Sequence, residues 1–121
     1  MRENILTPGR VSDRDYAWFV AHGPVWVWDD GAAILGFSAG DPRDGSIWAL
    51  FVHPDHEGRG IGRALLARAC ASLAAAGHRA ATLETAAGTR AESFYLRQGW
   101  ITAGLDSEGQ RAFRRILDPR P

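Results

Sequence analysis

Read from its hydrophobic and polar positions, the chain alternates short β-branched and aromatic runs with two helical stretches. Residues 25–28, Val-Trp-Val-Trp, end in Asp29-Asp30-Gly31, which predicts a strand entering a tight turn. A second strand follows at 32–39. The turn signal Asp41-Pro42-Arg43-Asp44-Gly45 leads into a third strand at Ser46–Val52, so the three form an antiparallel meander. From 61 to 76 the period changes: Ile61, Leu65, Ala69 and Leu73 recur every four residues with neither Gly nor Pro after Gly62, which predicts the longest helix. Gly77 stands where a left-handed C-cap belongs, and 79–85 reads as a strand, giving a crossover with local parallel pairing. A second helix over 89–98 closes at Gly99, and strands at 100–103 and 111–117 flank a Gly-containing hairpin turn. Ahead of all this, residues 13–21 suit a short helix with Tyr16, Trp18 and Phe19 giving one apolar side. The expected fold is α/β with a mixed sheet.

Composition narrows the class. With 121 residues the chain fits one domain, 1–121, and 45% hydrophobic against 23% charged residues is a globular balance. Fourteen basic and fourteen acidic side chains cancel, and every basic one is Arg. No global field therefore recruits nucleic acid or an anionic membrane. The start of the chain has no apolar core of a secretory signal, and no run approaches the length of a membrane helix. A single cysteine, Cys70, forms no internal disulfide; with the absent signal it predicts a cytoplasmic protein, and its place inside the long helix predicts a packing residue. His22, His53, His56 and His78 lack the spacing of a helical metal pair, so no metal is expected.

The chemistry concentrates between the third strand and the long helix. Gly58, Gly60 and Gly62 lie at Gly-x-Gly-x-Gly spacing directly before the helix. Glycines there permit positive φ and close approach of a ligand, and a helix start offers unpaired N–H groups at the positive end of a dipole. Such a turn suits phosphate, although a plain strand-to-helix connection uses glycines too. The spacing differs from the dinucleotide Gly-x-Gly-x-x-Gly, and a Walker A loop needs a lysine that this chain lacks.

The run Leu50-Phe51-Val52-His53-Pro54-Asp55-His56-Glu57-Gly58-Arg59-Gly60-Ile61-Gly62-Arg63-Ala64-Leu65-Leu66 resembles the acyl-CoA motif of the GNAT superfamily of N-acyltransferases. A second run, Ala91-Glu92-Ser93-Phe94-Tyr95-Leu96-Arg97-Gln98-Gly99-Trp100, is similar to that superfamily's later helix-to-strand signature. The two matches and the element order cover roughly 25–117. The resemblance implies a mostly antiparallel sheet whose central parallel pair splays at the CoA site, flanked by helices, with a shortened N-terminal part. It implies that main-chain N–H groups of Glu57, Gly58, Arg59, Gly60, Ile61 and Gly62, with Arg63, hold the diphosphate of acetyl-CoA. The backbone of Leu50, Phe51 and Val52 is then expected to pair with the pantetheine arm. Glu57 stands where the family has Gln or Arg, and a side chain turned to solvent avoids repulsion there, with Arg59 and Arg63 as compensating charges.

The implied reaction is direct transfer of an acetyl or other short acyl group to a primary amine on a small molecule or peptide. Tyr95 aligns with the family's general acid; its structural alternative is a core tyrosine with a hydrogen-bonded hydroxyl. Glu84 stands where some members carry a base. Burial would raise its pKa, whereas strand alternation would turn it to solvent. A water relay or His53 is the substitute. The short N-terminal part leaves the acceptor side abbreviated, which points to a small acceptor or to a homodimer completing the pocket. It also leaves open a non-catalytic acyl-CoA-binding module. Among Tyr16, Trp26, Trp28 and Trp48, one or two are expected to border the acceptor.

Overall fold

A computed structural model describes residues 25–105 and 108–117. The expected helix at 13–21, with Tyr16, Trp18 and Phe19, lies outside the described residues. Among the described residues six strands form one sheet: β1 (Trp26–Asp29), β2 (Ile34–Asp41), β3 (Ser46–Val52), β4 (Ala80–Ala86), β5 (Ile101–Leu105) and β6 (Gln110–Ile116). Two helices, α1 (Ile61–Ala75) and α2 (Arg90–Arg97), follow β3 and β4. Spatial order is β1-β2-β3-β4-β6-β5, antiparallel everywhere except the β3–β4 pair.

Element boundaries shift where side chains compete for backbone groups. The second strand begins at Ile34 rather than at 32 because Asp29 accepts the Gly31 N–H at 2.7 Å and Asp30 accepts those of Ala32 and Ala33 at 2.9 Å. Those N–H groups are thereby taken from the ladder. Thr89, expected as the first residue of the second helix, is its N-cap, accepting the Glu92 N–H at 3.2 Å and donating to Ala86 O at 2.7 Å. Glu92 reaches back to the Gly88 N–H at 3.0 Å and pairs with Arg111 on β6, which ties α2 to the sheet.

Helix α1 buries Ile61, Leu65, Leu66, Ala69, Cys70 and Leu73 against the sheet, each Leu or Ile worth about 1.5–3 kcal/mol. It can approach closely because Gly36, Ser38 and Gly40 form its track on β2. A Cβ on Gly36 would lie 2.6 Å from Phe51 O and 2.9 Å from Leu65 Cδ1, and one on Gly40 would lie 2.7 Å from Leu73 Cγ. Between them, the Ser38 hydroxyl donates to Leu65 O at 2.8 Å. The helix ends at Gly77, whose φ of +98° confirms the left-handed stop.

Two irregularities in β3 shape the neighbourhood of the glycine loop. Ala39 pairs with Ala49 but the next residue, Gly40, pairs with Ile47, so Trp48 is the extra residue of a bulge. The parallel ladder to β4 consists of the single pair Ser46–Thr82, closed by Thr82 N–H donating to Gly45 O at 3.1 Å. Beyond it the strands part into a wedge, and the β4-facing edge of Leu50, Phe51 and Val52 carries no ladder. No helix among the described residues is long and apolar enough to cross a membrane.

Candidate functional site

The wedge opens toward the N-terminus of α1. Strand β3 leaves the sheet at Val52, and a short 3-10 turn, Pro54–His56, carries the chain to Glu57. Here the His53 ring caps the turn, its Nδ1 accepting the Asp55 N–H at 3.1 Å. His53 is thereby fixed as a turn-former, with its Nδ1 engaged.

Two glycines then bend the loop: φ is +81° at Gly58 and +84° at Gly60. A Cβ at Gly58 would meet nothing within 4 Å, and one at Gly60 only the tip of Arg63 at 3.9 Å, so the backbone conformation, not crowding, demands glycine at both. Gly62 differs. A Cβ there would stand 3.4 Å from Val52 and 3.6 Å from the Phe94 ring, so a bare backbone keeps the cleft floor open. Gly60 offers no side-chain cap, and the first intrahelical bond is Ala64 N–H to Gly60 O at 3.0 Å. The N–H groups of Ile61, Gly62 and Arg63 therefore precede the helical ladder and sit at the positive end of the α1 dipole.

Around this loop lies a cleft of about 440 Å³ lined by Val52, His56, Glu57, Gly58, Gly60, Gly62, Arg63, Arg90, Ala91, Phe94, Arg97 and Gln98. Its far wall is α2: Arg90, Phe94 and Arg97 recur at i, i+4 and i+7 and so share one face. Sequence reasoning gave neither Phe94 nor Arg97 a place in this cleft, although that spacing was visible.

Glu57 corrects an expectation. Instead of facing solvent, its carboxylate lines the cleft with 17% of the side chain exposed, and it pairs with Arg90. The compensating cation comes from α2 and not from Arg59 or Arg63, because the fold brings the start of α2 against the loop. Arg59 is exposed, and Arg63 extends beside Gly60 into the cleft.

Tyr95 occupies the adjacent helical position, turned from the cleft into the core. It is fully buried, edge-on to Phe94 and Trp100 at ring distances of 5.2 and 5.5 Å and tilted on Phe113 at 5.8 Å. The hydroxyl has no hydrogen-bond partner among the described residues. Burial drives its pKa far above the usual phenol range, with Cys70 nearby adding to the effect, so the group stays protonated. Tyr95 is thus a core tyrosine, but without the hydrogen-bonded hydroxyl expected of one.

Glu84 is exposed, on the opposite face of β4 from buried Leu83 and Thr85. Continuing the parallel register from Ser46–Thr82 sets Glu84 level with the bulged Trp48, where the wedge begins. Tyr95 packs behind β4 and β6 on the helix side, through Phe113 opposite Leu83. The two candidate proton-transfer groups thus flank the sheet at one level, from opposite faces.

A second hollow, of about 680 Å³, lies over that open face and is bordered by Ser46, Thr82, Glu84, Ile101, Thr102 and Arg114. Trp26 is not near it. It packs against the core beneath α1, with the Arg68 guanidinium 5.3 Å from its ring centroid, whereas Trp28 is 40% exposed. The two tryptophans share a strand face without sharing an environment, because α1 covers only one of them. Cys70 is buried and free, its thiol pushed up to about 11 by burial, as befits a packing residue.

These features fit an acyl-CoA donor on three counts: an open strand edge, an uncapped helix start beside Arg side chains, and a buried hydroxyl without a partner. Comparison with known proteins agrees. A family model described as an acetyltransferase (GNAT) domain matches residues 21–102. The L-amino acid N-acyltransferase MnaT of Escherichia coli K12 is 38% identical over 68 residues, which covers 47% of this chain and 40% of that protein. The match thus spans less than half the length of that curated relative. Among solved structures, an N-acetyltransferase from Staphylococcus aureus Mu50 superposes with a TM-score of 0.71 at 22% identity, over 88% of this chain and 77% of the other. Salmonella typhimurium yncA, solved with its cofactor acetyl-CoA, gives 0.69 at 22% identity over 89% and 75%. The family match runs through the meander, the glycine loop, α1, β4 and α2, and the chain belongs to the GNAT acetyltransferase domain family.

Proposed function

We propose that this chain is an N-acyltransferase that moves an acetyl or short acyl group from acyl-CoA to a primary amine by direct transfer. The observation that carries the reading is the β3–β4 wedge opening onto the uncapped start of α1. Acyl-CoA supplies an activated thioester. The chain's own residues do the rest. The N–H groups of Ile61, Gly62 and Arg63, with Gly58, Arg59 and Gly60 shaping the loop, hold a diphosphate, and the free edge of Leu50, Phe51 and Val52 pairs with an amide-bearing arm as an added strand would. Arg63, Arg90 and Arg97 add positive charge to the cleft, partly offset by Glu57.

In the transfer, a C–N bond forms at the acyl carbon while the C–S bond breaks. Glu84, on the open face, takes the proton released by the amine, and Tyr95, behind the sheet, gives one to the departing sulfur. The acceptor is a small amine. MnaT, named for L-amino acids, supports that size class. The single cysteine of this chain, Cys70, buried and free, supports a reducing, cytoplasmic setting. A homodimer is part of the same reading, supported by exposed Leu105 on edge strand β5. The alternative of a non-catalytic acyl-CoA module gains no observation of its own.

The test is calorimetric titration with acetyl-CoA, with ATP and NAD as controls at the same ionic strength, followed by an amine screen for CoA release. Selective acetyl-CoA binding and amine-dependent release are expected. A folded sample that binds no acetyl-CoA refutes the reading.

A further inference from the structure

Several charged side chains beside the sheet are tied down. Arg43 holds Asp41, Arg111 holds Glu92, Arg90 holds Glu57, and Arg115 donates to Gln98 O at 3.0 Å. Glu84 and Arg114 are different. Both border the hollow over the open face of β4 and β6, and neither side chain makes a hydrogen bond or ion pair among the described residues.

Their relative position follows from the register. Glu84 pairs with Ala112 and Thr82 with Arg114, so Glu84 and Arg114 stand on a diagonal of the antiparallel pair, on one face. Backbone positions on such a diagonal are about 7–8 Å apart. Long side chains can close such a gap, but here the two do not pair, and both arms can reach one small molecule lying between them. Ala112 and Thr82, the other corners of the quadrilateral, are small and leave that space open. Ile101, paired with Arg114 from β5, adds an apolar wall on the outer side, 60% exposed, and Leu83 and Phe113 also border the hollow.

We infer that the acceptor carries a carboxylate close to its amine, as a free α-amino acid does, and that Arg114 binds this carboxylate while Glu84 faces the amine. The inference rests on the acyl-transfer reading for the role of Glu84, and deepens it by assigning the acceptor class and a positioning residue. A guanidinium suits the task because its planar fork matches a carboxylate with two parallel hydrogen bonds, whereas Glu84 would repel the same group. An exposed arginine beside an unpaired carboxylate distinguishes a zwitterion, which satisfies both, from a plain amine, which satisfies only Glu84. The apolar wall at Ile101 favours an aliphatic or aromatic side chain on that amino acid.

The test uses matched ligands, L-leucine against L-leucinamide and L-phenylalanine against L-phenylalaninamide, on the full chain saturated with CoA. Binding is read by calorimetry, and turnover with acetyl-CoA by CoA release. The amino acids should bind at least about tenfold more tightly than their amides, as expected for loss of a charge-assisted bidentate contact. Arg114→Ala should remove that preference by weakening the amino acids alone, with the rise in KM exceeding any fall in kcat, and Arg114→Lys should restore part of it. Arg114 is exposed, and acetyl-CoA binding by the variant checks that its fold is intact. Amides binding as well as amino acids, or Arg114→Ala weakening both equally, overturns the inference while leaving the acyl-transfer reading intact. Carboxylate-dependent binding without CoA release upholds the Arg114 assignment and counts against acyl transfer instead.

Discussion

Replacing Tyr95 by phenylalanine tests the catalytic role proposed for it separately from its place in the core. The substitution removes one oxygen and keeps the ring, so the contacts with Phe94, Trp100 and Phe113 survive. That oxygen is fully buried and has no hydrogen-bond partner among the described residues. Burying a hydroxyl without a partner costs about 1–3 kcal/mol in proteins. Tyr95→Phe should therefore stabilise the free protein by about 1–2 kcal/mol, which for a domain of this size raises Tm by roughly 4–8 °C. If the same hydroxyl protonates the departing sulfur, kcat should fall by about 10²–10⁴-fold, the usual range for a general acid. Affinity for acetyl-CoA should hardly change, because the residue lies behind the cleft rather than on its wall. Thermal melts of the ligand-free protein and a thiol-release assay measure the two effects, with calorimetry for affinity. A variant that melts several degrees lower would show that the hydroxyl has a structural partner in solution. Unchanged turnover would remove Tyr95 from the reaction.

Three further outcomes probe the cleft, the helix–sheet contact and the core thiol. Glu57→Gln removes the negative charge from the cleft and releases Arg90, so acetyl-CoA should bind several-fold more tightly, with a steeper loss on adding salt; weaker binding would show that the pair shapes the loop instead. Gly36→Ala places a methyl 2.6 Å from a backbone oxygen and 2.9 Å from Leu65, so an overpacking loss of about 1–3 kcal/mol is expected in denaturant titrations, and a neutral result would mean that α1 can lift from β2 at little cost. Cys70 should resist thiol reagents at neutral pH until the protein unfolds. Because its folded pKa is raised, to about 11, its contribution to stability is complete below the unfolded thiol value and is lost as pH rises toward 11, which stability measured across that alkaline range will show.

The sequence by itself determined the main elements and a glycine loop of the kind that suits phosphate. The four-residue recurrence from Ile61 to Leu73 dictates α1 because only one face of a helix repeats at that interval, and Gly58, Gly60 and Gly77 mark positive φ at sites where other residues are strained. The paired motifs were enough to place the chain in its family, since they name residues and not contacts. Tertiary structure decided the rest. The hairpin signal between β5 and β6 could not say that β6 inserts beside β4, because pairing partners are chosen by which edge is free and which faces can be buried together. Alternation along β4 left Glu84 buried or exposed with equal consistency, and the answer came only from α1 and α2 covering the other face. Glu57 looked like a solvent-facing departure until α2 brought Arg90 against it, 33 residues away in the chain. Nothing in the residues around Trp48 announces a bulge, which arises from how β2 and β3 pair. Local chemistry is written along the chain, whereas these facts depend on elements distant in sequence meeting in space.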